Sequence, residues 1–157
     1  MSKIKIGGIV RHLGLTLIRF TSGSSQANIL ADLLDTLGNA NINVQFIVQS
    51  ADPAGNHLVV FCVARNDQVP ALACIASLQS QNHFDSLHIE PGVCSLGIYG
   101  PDFRVRPRLA GALMGALGAS GIPVHAISTS ISTFTVVIPF DHLEVAQTAI
   151  DQVFELP

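Results

Sequence analysis

Charge is what this sequence has least of: Asp, Glu, Lys and Arg make up 12% of its 157 residues, about half the roughly 25% usual in soluble domains. With 8 Lys and Arg against 11 Asp and Glu, and a net charge of −3, general basicity cannot neutralise a run of phosphates. A nucleic-acid binder of that kind is excluded. Tryptophan is missing, and the three cysteines, Cys62, Cys74 and Cys94, never occur as C-x-x-C. A disulfide-stapled scaffold is excluded, and an odd count without metal spacing reads as reduced, buried thiols of a cytoplasmic protein. Long apolar runs are missing too. The longest, Leu109–Ala119, is about half of the ~20 residues that a bilayer crossing takes. The opening M-S-K-I-K-I-G-G has no h-region or small-residue cleavage site. Yet 48% of the chain is apolar, too much for a disordered tail. That surface needs cover, and a second unit or subunit is the expected source.

The chain repeats itself once. A shift of 80 residues aligns L-L-D-T-L-G-N-A-N-I-N-V-Q-F-I-V-Q-S (33–50) with L-M-G-A-L-G-A-S-G-I-P-V-H-A-I-S-T-S (113–130), seven positions being identical. The matches are spaced as a helix end followed by a strand, and two units are too few for a solenoid. Period-two alternation predicts a strand over 15–20. Ser24 or Ser25 is placed to cap a helix carrying Ile29, Leu30, Leu33, Leu34 and Leu37, with Gly38 near its end. A strand over 43–50, the turn A-D-P-A-G-N (51–56) and a strand over 57–64 follow. Asp67 then opens a helix with Val69, Leu72, Ala73 and Ala76 on one face, and Leu87 and Ile89 belong to a last strand. The second repeat runs likewise: strand 94–99, a helix begun at Pro107, and strands near 123–130 and 133–139. A final helix runs from Asp141, with Glu144 placed for a capping box.

That second repeat lacks its fourth strand, whereas Lys3–Val10 is a strand candidate surplus to the first. The economical solution is that the N-terminal strand completes the second sheet, since a bare edge would expose unpaired backbone groups. The expected class is α+β, two ferredoxin-like βαββαβ sandwiches. Residues 12–91 form the first, and 3–11 with 92–157 the second.

Catalysis needs a nucleophile, a base and an orienter. Six histidines (His12, His57, His83, His88, His125 and His142) form no H-x-x-x-H, H-E-x-x-H or Cys/His cluster, so no metal site is expected. No P-loop is present, and no cofactor is implied. Gly111, Gly115, Gly118 and Gly121 recur at a spacing that suits close helix packing better than a phosphate loop. Arg104, Arg106 and Arg108 form R-V-R-P-R at a helix start, where unpaired N–H groups already favour anions. They read as a candidate anion site, or equally as a solvated rim or partners for a neighbouring subunit. In the first repeat T-S-G-S-S-Q-A-N (21–28) offers hydroxyls and amides at a helix start, with Asn43, Gln45 and Gln49 on the following strand. Such groups can hold a small zwitterion.

I-N-V-Q-F-I-V-Q (42–49), I-S-T-S (127–130), a helix ending in V-F-E-L (153–156) and the opening I-G-G-I-V-R-H-L-G-L-T-L-I (6–18) resemble the paired ACT domains at the C-terminus of aspartate kinases. The resemblance covers the whole chain. It implies regulation without catalysis: an ACT-type module that binds an end-product amino acid of the lysine or threonine class and dimerises. It also implies a small-molecule site at Ser25, Gln26, Asn28, Ile42, Asn43, Gln45 and Gln49. Asn43 and Gln49 match the family's strand polar positions, and Ile42 the apolar residue beside them. Where the family commonly has Asp-x-Pro-Gly, this chain has Ser25, Gln26, Ala27 and Asn28, and Gln45 stands at a strand position often held by Asp. In the second repeat Pro107 matches the motif's proline, its glycine is Arg108, and an expected Asn is Pro123. The missing carboxylates are the natural counter-charges for an ammonium.

The expectation is an amino-acid-sensing homodimer of the cytoplasm, free-standing or part of a larger kinase, with an aspartate kinase catalytic chain as a further partner. Neither nucleic acid nor membrane is involved. Two alternatives stand beside it. One is an oligomerisation module that has lost effector binding. The other is a small ferredoxin-like enzyme using Arg104–Arg108.

Overall fold

The computed structural model describes residues 2–23, 28–81, 84–101 and 103–157, with the side chain of Arg104 also set aside. The chain divides into two compact units, a central one, Gly14–Pro91, and a split one, Met1–Leu13 with Gly92–Pro157. Two long strands, β2 (Gly8–Ser22) and β5 (Phe84–Tyr99), run from one unit into the other. The boundaries fall at Gly14 (φ 63°) and Gly92 (φ 72°).

In the central unit the order along the chain is β2, α1 (Ile29–Asn39), β3 (Val44–Ala51), β4 (His57–Ala64), α2 (Gln68–Gln79) and β5. The strands lie in the order β3-β4-β2-β5, the 2-3-1-4 arrangement of a ferredoxin-like sheet. Leu17 pairs with Cys62 and Phe20 with Val59. Alternation therefore sends Ile18, Phe20, Val59, Phe61 and Val63 to one face, where they pack with Ile29, Leu33 and Leu37 of α1 and Ala71, Ile75 and Leu78 of α2. The Phe20 and Phe84 rings meet edge to face at 4.6 Å, a geometry the ring quadrupoles favour. Leu15, Leu17, Val60 and Cys62, which alternate with the core set, are buried as well. The β3–β4 turn closes on Asp52, whose carboxylate accepts from the backbone and side-chain nitrogens of Asn56 at 2.9 and 2.8 Å. Those donors hold the Asp52 carboxyl below its ordinary value.

The split unit repeats the pattern with β5, α3 (Leu109–Ala119), β6 (Ala126–Thr129), β7 (Thr133–Pro139) and α4 (Leu143–Val153), and β2 lies on the far side of β5. The N-terminal strand thus fills the fourth place of this sheet. Its register breaks at Gly7. The preceding β1 (Ile4–Lys5) pairs in parallel with a short β8 (Phe154–Glu155), while the Gly7 N–H donates to Tyr99 O at 2.7 Å. Ile6, Leu96, Ile98, Leu109, Leu113, Leu117, Ile138, Ile150 and Phe154 share one core.

Several local expectations are corrected. The helix expected to end in V-F-E-L (153–156) stops at Val153, and a two-residue β8 follows it outside the main sheet. The strands expected at 87–89 and 94–99 are one, since β5 runs on through Pro91 and Gly92 despite the positive φ of Gly92. Of the face expected on α2, Leu72 packs against the core beside Ala71, Ile75 and Leu78, whereas Ala73 and Ala76 are exposed and Val69 is 76% exposed. No side-chain cap bond forms at α1 or α4. Ser24 and Ser25 lie outside the described residues, and Asn28 holds the N-cap position of α1. A 3-10 turn, Phe140–His142, replaces the expected capping box, and α3 begins at Leu109, two residues past Pro107. The left-handed residue ending α1 is Asn41 (φ 57°), not Gly38, and its repeat equivalent is Gly121 (φ 67°). In both places the next N–H returns to the helix, Ile42 to Leu37 O at 2.9 Å and Ile122 to Leu117 O at 3.1 Å. That is the six-to-one bond of a Schellman cap.

The glycine stripe of α3 is not a packing seam among the described residues. A Cβ at Gly111, Gly115 or Gly118 would meet nothing within 4 Å. Glycine costs an exposed helix about 1 kcal/mol relative to alanine, so Gly115→Ala and Gly118→Ala should each raise the melting temperature by about 2–4 °C. A drop in thermal denaturation midpoint would show that this face is covered in the assembled protein.

Candidate functional site

The first group of candidate residues divides between the two ends of α1 in the central unit, Asn28 at its start and Ile42 and Asn43 just past its end. Ser25 and Gln26 lie outside the described residues. Asn28 is exposed at the N-cap of α1, with its carbonyl accepting from Asp32 N at 3.0 Å. Ile42 is 5% exposed and belongs to the core. Asn43, Gln45 and Gln49 are exposed. Odd numbering would put the last three on one face of β3, but the strand carries a bulge. Val44 pairs with Val63 and Phe46 with Cys62, which leaves Gln45 as the extra residue. Such an insertion re-aims side chains: Val44 and Ile47, three residues apart, both reach the core. Beyond the bulge, Gln49 shares the helix-facing side with Ile47, while Asn43 precedes the bulge with the opposite parity to Val44. The structure therefore does not line up Asn43, Gln45 and Gln49 on one face.

Gln49 gains a partner that sequence reasoning missed. Its side-chain nitrogen lies 2.8 Å from His57 Nδ1 on β4. Ser22 at the end of β2 stands opposite His57 in register, and Ala51 of β3 faces His57 from the other side. Ser22 is fully buried and its hydroxyl has no hydrogen-bond partner among the described residues, a costly state for a polar group. Ser22, His57 and Gln49 thus form a polar end to an otherwise apolar helix-facing surface, directly before the loop leading into α1. The signal in the sequence was the turn at 51–56, which brings positions 49 and 57 to diagonal places on neighbouring strands. Hydroxyl, amide and imidazole groups can donate and accept for a neutral polar ligand, and none supplies a fixed negative charge.

The second group lies in the split unit. Arg106 Nη1 donates to the Lys5 carbonyl at 2.6 Å, and Arg108 holds the N-cap position of α3. The Arg104 side chain lies outside the described residues. Arg106 and Arg108 border a groove of about 860 Å³ that Lys3, Leu109 and Val153 also line. A smaller hollow of about 280 Å³, lined by Lys5, Ile6, Gly7, Gly100, Pro101 and Phe103, shares Arg106. Among the described residues no group of three or more His, Cys, Asp or Glu could hold a metal ion, and no helix is long and apolar enough to cross a membrane.

No family model matches the chain. An aspartokinase of Bacillus sp. (strain MGA3) is 27% identical over 127 residues, which cover 81% of this chain and 31% of that protein. The regulatory subunit of aspartate kinase from Thermus thermophilus, solved in a ligand-free form, superposes with a TM-score of 0.86. The match covers 96% of this chain and 99% of that one at 22% identity. A structure of aspartokinase alpha and beta subunits gives 0.84 at 23% identity, over 94% of this chain and 97% of that one. The chain is thus similar in sequence to aspartokinases and has the fold of an aspartate kinase regulatory subunit. It spans about a third of the length of the curated relatives it matches. These 157 residues hold that fold and no kinase catalytic domain.

Proposed function

We propose that this chain is a non-catalytic regulatory module of an aspartate kinase, with the central and split units as its two ACT-type domains. On this reading it is a cytoplasmic homodimer that senses an amino acid of the lysine or threonine class and acts on an aspartate kinase catalytic chain. The observation that carries the reading is the fold match along almost the entire length of a regulatory subunit. The polar group of Ser22, His57 and Gln49 before the loop into α1, with Asn28 at the α1 N-cap, supports an effector site at that end of the central unit, whereas Ile42 and Asn43 follow the other end of α1. A ligand held there shifts the module between states by no more than its differential affinity for them.

Titration of the chain with each of the twenty amino acids tests this. At about 100 times its dissociation constant an effector adds about 2.7 kcal/mol. For a chain of this size the melting temperature rises by about 5–10 °C. Gln49→Ala should reduce the rise, because it removes the amide tied to His57. A second reading, an oligomerisation module without effector, is favoured by the lack of any carboxylate among Asn28, Asn43, Gln45 and Gln49 to meet an ammonium. A dimer whose melting temperature is indifferent to every amino acid at millimolar concentration would establish that reading and remove sensing.

A further inference from the structure

We infer that the groove of the split unit, between the starts of β1 and α3 and the end of α4, binds a small organic anion: a carboxylate or phosphate carried on a short apolar body. This site is separate from the effector site proposed for the central unit and stands or falls independently of it.

The groove measures about 860 Å³, within the range of small-molecule sites. Its walls are of two kinds. Ile4, Leu109 and Val153 are apolar, and Lys3, Arg106 and Arg108 bring three of the chain's eight Lys and Arg to one place. Among the described residues, no Asp or Glu lines it and no carboxylate pairs with Lys3 or Arg108. In a chain of net charge −3, such a concentration of positive charge is a local feature and not background. Like charges gathered around one hollow repel, and an anion among them relieves that repulsion. Arg106 is held by its bond to the Lys5 carbonyl at 2.6 Å, so its guanidinium is already positioned before a ligand arrives. Guanidinium groups match the oxygens of carboxylate and phosphate. A zwitterion fits less well, because its ammonium would face the same three cations. The apolar walls set the second requirement, a body of several carbons beside the anionic group.

Calorimetric titration of the whole chain in 0.15 M salt (where weak surface attraction is screened) tests the assignment with inorganic phosphate, phenyl phosphate and phenylacetate. Saturable binding of phenyl phosphate or phenylacetate at least about tenfold tighter than that of inorganic phosphate is expected. The tighter of the two identifies the anionic group as phosphate or carboxylate. Arg108→Gln and Lys3→Gln should each weaken that binding several-fold while leaving the melting temperature of the free protein unchanged. Arg106→Gln is the less clean variant, because it also releases the Lys5 carbonyl. Absence of saturable binding by all three probes to about 10 mM would overturn the proposal. Binding that Arg108→Gln and Lys3→Gln leave intact would overturn it equally.

Discussion

Replacing Ile6 by Asp should remove most of the stability of the split unit. Ile6 is 6% exposed and lies in the same core as Leu96, Leu113, Ile150 and Phe154. Its backbone N–H donates to Glu155 O at 3.0 Å, so the side chain cannot swing outward without breaking the β1–β8 pairing beside it. A carboxylate left there has no partner, and an uncompensated buried charge costs about 3–5 kcal/mol. Whole domains are stable by only about 5–15 kcal/mol. Amide exchange is the informative measurement. Protection should collapse across residues 92–157 and the N-terminal strand, and fall less in 14–91. Val10→Asp, farther along the same N-terminal segment but 43% exposed, should cost little, and Ile6→Val about 0.5–1.5 kcal/mol. If Ile6→Asp leaves residues 92–157 as protected as before, the N-terminal segment is not a working part of that sheet.

The order of elements was legible because it rests on periodicity and turn chemistry, which are local. The strand His57–Ala64 and the Asp52–Asn56 turn need only their own residues, and α4 shows a clear stripe in Ala146, Ala149 and Ile150. What stayed hidden depends on partners far along the chain or on patterns without contrast. Helix α2 is apolar on nearly every side, so periodicity could not separate Ile75, which is buried, from Val69, which is not. Whether Pro91–Gly92 ends a strand or lets it continue depends on the neighbours of β5. In the candidate site, Gln49 was readable as a polar strand position and the 51–56 turn sets it diagonal to His57, but the displacement of Gln45 follows from a bulge that no alternation pattern announces. The arginines of 104–108 were visible as a cluster. The groove they border was not, because Lys3 and Val153 complete it from opposite ends of the sequence.

Between pH 9 and 12 the protein should lose about 4 kcal/mol through one thiol. Cys62 lies in β4 with no exposed surface, between Leu17 of β2 and Phe46 of β3 in register. Burial pushes its thiol from 9.0 up to about 12, because a thiolate there would have neither water nor a counter-charge. Below about pH 9 the thiol is protonated in both the folded and unfolded chain, and it contributes no pH dependence. Above that, the unfolded chain gives up the proton while the folded one retains it. Stability then falls by about 1.4 kcal/mol per pH unit until the folded thiol ionises too. Cys94 is raised in the same direction by its own burial, so the wild-type slope alone is not diagnostic. The difference from Cys62→Val is. That variant carries a constant packing cost at every pH but should be flatter than wild type across this window, as measured by urea unfolding at fixed pH. Thiol reagents give a second measure. At pH 8 the folded protein should react first at the half-buried Cys74, with Cys62 and Cys94 labelled only as the chain unfolds. Parallel curves for wild type and Cys62→Val from pH 9 to 12, or early labelling of Cys62, would mean that β4 opens to solvent in the native state. The sheet would then lack the dry interior that the low charge of the chain implies.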